Sequence, residues 1–105
     1  ALAHKESWRT MALTVTLLRF GRGPEALPLA RRLVEIETEP SRTFMHGNAL
    51  LILGHALTET GNLDEALETL AQAKASGLEH HKKWIVRNAQ QLEAKIKVRL
   101  DRGEA

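Results

Sequence analysis

The chain has no cysteine. Disulfides, thiolate zinc sites and cysteine nucleophiles are therefore excluded, and a reducing, cytoplasmic setting is expected. Aromatic residues are scarce, at 4% of the 105 residues, so the core must rest on Leu, Ala, Ile and Val. Leu and Ala lose little entropy in a helix, and this palette points to an all-α fold. No apolar run approaches the roughly 18 residues that span a bilayer, and no membrane contact is expected. Proline is confined to Pro24, Pro28 and Pro40, so nothing forbids long helices from Ser41 onward. Ala1 to Thr10 is polar and carries Lys5, Glu6 and Arg9, so no secretory leader is expected in it. The Ala start and charged tail read as a piece of something longer.

Charge is nearly balanced, with 15 Lys and Arg against 13 Asp and Glu, but it is unevenly placed. Residues 41–77 carry Arg42 and Lys74 against Glu59, Asp64, Glu65 and Glu68. Residues 78–105 carry seven bases against four acids. A gradient of this kind is either a solvated face or a nucleic-acid patch.

What the chain does contain is a repeat. Gly21-x-x-x-Glu25-Ala26-Leu27 returns forty residues later as Gly61-x-x-x-Glu65-Ala66-Leu67. A glycine break followed by the same helix start means one supersecondary unit used more than once. The spacing of apolar residues predicts five helices and no strand of convincing length. The first runs from about Ser7, as N-cap, to Phe20, with Met11, Val15 and Leu18 on one face and Leu13 and Leu17 on another. Gly21-Arg22-Gly23 ends it. The second runs from Pro24 to Glu37, with Ala26, Leu29, Ala30 and Leu33 inward and Pro28 expected within the first turn. Glu39-Pro40-Ser41 is a break, with Ser41 a cap. The third helix runs from Ser41 to Thr60, striped by Leu50, Leu53, Gly54 and Leu57. The fourth runs from Leu63 to Ala75, buries Ala66, Leu67, Leu70 and Ala73, and is closed by Ser76-Gly77. The last runs from His81 to Arg102, with Ile85, Ala89, Leu92 and Ile96 at helical spacing.

No catalytic constellation stands out. There is no Gly-x-Gly-x-x-Gly and no P-loop, hence no phosphate cradle. His80 and His81 are adjacent, about 100° apart on a helix, and His46 and His55 are too far apart to converge. Asp64 and Glu65 suit the positive end of a helix dipole. Ser7, Ser41 and Ser76 fall at helix boundaries, where capping accounts for them. No enzyme activity, cofactor or metal is expected.

Leu50-x-x-Leu53-Gly54-x-x-Leu57, followed by Ala66-x-x-x-Leu70 and Ala73, resembles the tetratricopeptide repeat family, with leucine at the three large aromatic positions. Small Gly54 and Ala66 let two helices approach, and larger neighbours fill the remaining space. The first hairpin is similar: Leu13, Leu17 and Ala26 fall where Leu53, Leu57 and Ala66 fall, while Thr14 and Ala30 replace Gly54 and Leu70. The period is 40 rather than 34, and the extra residues are expected around Val34–Met45. Trp84 follows Leu50 by 34 residues, but no Leu-Gly follows it. The resemblance thus implies one domain over residues 1–105, a right-handed superhelix of two antiparallel hairpins plus a capping helix. It divides into a degenerate repeat at 7–37, a better-matching repeat at 41–78 and a capping helix at 81–102.

The resemblance also implies a role as a protein–protein interaction scaffold, part of a larger regulator or assembly factor. First helices of each hairpin would line a concave groove. Carried over position by position, its residues are Trp8, Met11, Val15 and Leu18, then Asn48, Leu51, His55 and Thr58, with Lys82, Ile85 and Ala89 from the last helix. Met11 and Leu51 replace the polar residues of a carboxylate clamp, so no clamp is expected. An apolar groove of this kind suits a partner helix or peptide, or self-association as a homodimer. The alternative is nucleic-acid binding through Lys82, Lys83, Arg87, Lys95, Lys97, Arg99 and Arg102.

Overall fold

The computed structural model describes the backbone of residues 2–37 and 43–103 and the side chains of residues 6–37 and 46–103. The described residues form five α-helices and no strand. These are α1 (Leu2–Arg19), α2 (Gly23–Glu37), α3 (Thr43–Glu59), α4 (Leu63–Glu79) and α5 (Lys83–Asp101). Each helix packs on the next in sequence. In addition α1 touches α3, and α3 touches α5, so the odd-numbered helices form one layer and α2 and α4 the other. The slab measures 46 × 29 × 18 Å, and its thinnest dimension fits two layers of helices packed 8–10 Å apart.

The described turns, after α1, α3 and α4, share one geometry. Gly21 and Gly61 adopt φ of 70° and 81°. The N–H groups of Gly21 and Arg22 bond the Leu18 and Leu17 carbonyls, and those of Gly61 and Asn62 bond Thr58 and Leu57. This is the double bond pattern of a Schellman motif, in which a left-handed residue lets two orphan carbonyls be satisfied. The same pattern closes α4, where His81 takes φ 57° and Lys82 N–H reaches the Gly77 carbonyl at 2.7 Å. Helices α2, α3, α4 and α5 therefore start at residues 23, 43, 63 and 83. The 40-residue period continues into α5, which stands on α4 and α3 as α3 stands on α2 and α1.

Several expectations require correction. Helix α1 begins before Ser7, so Ser7 is not a cap. It is buried, and its hydroxyl donates to the buried Glu37 carboxylate at the end of α2. Helix α4 runs through Ser76 and Gly77 to Glu79. Gly77 is a close-packing residue instead: a Cβ there would lie 3.0 Å from Val86 Cγ2 and 3.1 Å from the Lys82 carbonyl oxygen. Pro28 lies in the second turn of α2. It withholds a donor from the Pro24 carbonyl, and both prolines are exposed, so water can serve that oxygen. The Glu39-Pro40-Ser41 break lies outside the described residues.

Inside, the second hairpin packs as its pattern implies. Leu50, Leu53, Leu57, Ala66, Leu70 and Ala73 are all buried, and a Cβ on Gly54 would stand 2.5 Å from Leu70 Cδ2. In the 40-residue register this Gly54–Leu70 pair becomes Thr14–Ala30, both fully buried. The larger residue has changed helix while the space between helices is still filled. The Thr14 hydroxyl donates to the Thr10 carbonyl at 2.6 Å, so its burial leaves no polar atom unserved. Leu13, the counterpart of buried Leu53, is 50% exposed, because among the described residues α1 packs on α2 and α3 alone, whereas α3 packs on α1, α2, α4 and α5.

Polar ties join the hairpins. Arg31 of α2 grips Glu65 of α4 with two parallel bonds of 2.7 and 3.0 Å. That bidentate bond holds the Glu65 carboxyl below its ordinary pKa and raises that of Arg31. Glu65 is thus an inter-hairpin clasp as well as a first-turn acid. Lys74 of α4 pairs with Glu93 of α5 at 2.9 Å.

Candidate concave binding face

The expected groove residues lie on the odd-numbered layer, whose helices touch one another across hairpins. At one end Asn48 Nδ2 of α3 reaches Met11 Sδ of α1 at 3.5 Å. At the other end α3 and α5 flank a cleft of about 270 Å³ lined by Leu51, Ile52 and His55 facing Asn88, Gln91, Leu92 and Lys95. Arg99 Nη1 of α5 donates to the Thr58 carbonyl of α3 at 2.7 Å and closes this end of the contact.

The eight expected groove residues divide by depth. Trp8 is 56% exposed, and Met11, Val15, Asn48 and His55 are half-buried. Leu18, Leu51 and Thr58 are buried; Leu51 forms the floor of the α3–α5 cleft, and the Thr58 hydroxyl donates to the Gly54 carbonyl. His55 Nε2 lies 3.4 Å from Glu59 Oε1, one turn further along α3.

Helix α5 differs from expectation. Ile85 and Ala89 are fully buried in the core, not on the groove. A 34-residue register placed them wrongly; the chain's own period of 40 places Asn88, Gln91 and Lys95 opposite Asn48, Leu51 and His55. Applying the period read from the doubled glycine turn would have found these three. Three equivalent rows result: Trp8, Asn48 and Asn88; Met11, Leu51 and Gln91; Val15, His55 and Lys95. The face thus runs from apolar at α1 to polar and basic at α5.

Among the described residues no group of three or more His, Cys, Asp or Glu is placed to hold a metal ion. No helix among them is long and apolar enough to cross a membrane.

A family model described as tetratricopeptide repeat matches residues 7–32 and 47–72. No curated protein and no solved structure matches the chain. The two matched segments begin 40 residues apart, and each holds most of one odd helix, a Schellman turn and most of the following even helix. Repeats of this kind generally mediate protein–protein interaction and are typically non-catalytic scaffolds. The doubled turn, the stacked hairpins and both matches make this chain a member of the tetratricopeptide repeat family.

Proposed function

We propose that the face formed by α1, α3 and α5 binds an amphipathic helix or peptide of a protein partner, with no catalytic step. The observation that carries this reading is the exposed Trp8 beside half-buried Met11 and Val15, in line with the cleft at Leu51 and His55. A large aromatic with so much surface in water gains by being covered, and Trp and Met are favoured at such interfaces. The gradient along the face supports an orientation: the partner's apolar end lies on α1 and its polar or acidic end near Lys95. A homodimer that uses the same face would bury the same residues, and a mass measurement in solution distinguishes the two.

Nucleic-acid binding is the weaker reading. Its bases do not form one track: Arg99 is engaged with the Thr58 carbonyl, Lys95 lines the cleft, and Arg87 lies in a different pocket. A phosphate backbone needs cations on a common path.

The test is Trp8→Ala together with Val15→Glu, both at accessible positions, in a pull-down of the partner or a mass measurement of the assembly. Capture or assembly should fall at least tenfold with helical content unchanged. Undiminished assembly would reject the face.

A further inference from the structure

A second pocket lies off the concave face, at the corner where α4 turns into α5. Its volume is about 320 Å³. Its apolar floor is Gly77, Val86 and Leu78, and Leu78 is 68% exposed. Gly77 permits that floor, since its missing Cβ lets the end of α4 sit against Val86. Lys83 and Arg87, one helical turn apart on α5, and His81 stand around it.

Two observations give this corner its chemistry. In the 40-residue register Arg87 and Gln90 occupy the places of Gly47 and Leu50, the small and apolar residues buried on α3. A face that in α3 is buried and apolar is, in α5, polar and cationic, so a group that covers it must supply acidic partners. The cations are also uncommitted. Arg22, Arg31, Arg32 and Lys74 each have a carboxylate partner. Among the described residues Lys82, Lys83 and Arg87 have no carboxylate within ion-pair distance. An apolar socket ringed by unpaired cations complements an anionic ligand with an apolar anchor.

We infer that this corner binds an acidic peptide segment of a partner protein: an aliphatic or aromatic side chain on Leu78 and Val86, with flanking carboxylates on Lys83 and Arg87. A concave pocket favours a peptide side chain over the flat surface of an anionic bilayer. The inference is independent of the concave face, since the two sites share no residue.

The experiment uses four fluorescein-labelled heptapeptides, each with three acidic residues on either side of a central Leu, Phe, Ile or Gly, in fluorescence polarisation at low and moderate salt. At least one apolar-centred peptide should bind saturably, at least tenfold tighter than the Gly-centred one. Lys83→Glu with Arg87→Glu should weaken it at least tenfold, and Leu78→Asp should do the same. All three residues are exposed, so circular dichroism should show no change in folding. Val15→Glu on the concave face should leave this binding unaltered. Failure of every peptide to bind, or binding indifferent to the charge reversal, would overturn the inference. So would displacement of the bound peptide by phosphatidylserine vesicles that sediment with the protein more strongly than the peptide binds.

Discussion

Replacing Gly54 with alanine tests the hairpin packing most directly. A Cβ at this position would lie 2.5 Å from Leu70 Cδ2 and 2.8 Å from Leu70 Cγ. Leu70 has no exposed surface, so it cannot swing into solvent, and either it or the α3–α4 spacing must shift. Overpacking by one such group costs roughly 1–3 kcal/mol. Alanine in place of a mid-helix glycine returns about 1 kcal/mol of helix propensity. The net expectation is a loss of about 0–2 kcal/mol, a range too close to zero for the single variant to decide. The double-mutant cycle with Leu70→Ala is decisive. Leu70→Ala alone should cost about 2–5 kcal/mol through the lost side chain and its cavity. In that background the clash is gone, and Gly54→Ala should stabilise by about 1 kcal/mol. The coupling between the two sites should therefore be about 1–3 kcal/mol, measured by urea unfolding followed with far-ultraviolet circular dichroism. Equal stabilisation by Gly54→Ala in both backgrounds would show that Leu70 does not press on Gly54, and the close approach of α3 and α4 would be refuted.

Two further predictions concern polar ties. Ser7→Ala removes a hydroxyl that donates to the buried Glu37 carboxylate. It should cost about 1.5–3 kcal/mol in urea unfolding, the range for a hydrogen bond to a charged group; a change below about 0.5 kcal/mol would reject the bond. Glu65→Gln breaks the charge pair with Arg31. Because Arg31 depresses the Glu65 pKa below its ordinary 4.5, the pair's contribution is complete above that value and is lost as pH falls through the depressed one. Both side chains are nearly half exposed, so solvent limits the effect to at most about 1 kcal/mol at neutral pH. The stability difference between Glu65→Gln and the parent should shrink as pH falls below the ordinary carboxyl value of 4.5; a difference independent of pH would show that the charge pair does not produce it.

Much of the fold was legible in the residues. Gly21 and Gly61 sit where the chain must turn left-handed. Leu and Ala at helical spacing placed five helices, and the recurrence of Glu-Ala-Leu after each glycine set the repeat. These are local signals, in which a residue's own conformational cost or the face it presents is enough to decide. The proposed binding face was half legible, through the family resemblance: Trp8, Met11 and Val15 were carried over from it position by position. Its far wall was not, because Asn88, Gln91 and Lys95 carry no motif and only the 40-residue register assigns them.

What the tertiary structure decided are the places where one residue serves two elements. Ser7 looks like a cap until α1 extends past it and Glu37 arrives from thirty residues away. Gly77 looks like a stop until Val86 and the Lys82 carbonyl fill the space its side chain would occupy. Glu65 looks like a dipole partner until Arg31 closes on it from the neighbouring hairpin. Local preferences of a few tenths to about one kcal/mol set where helices can begin and end. A hydrogen bond to a buried charged group, or the overlap of two side chains, is worth more than that. The sequence alone therefore determined the repeating helices, and the contacts between helices determined what several of their boundary residues are for.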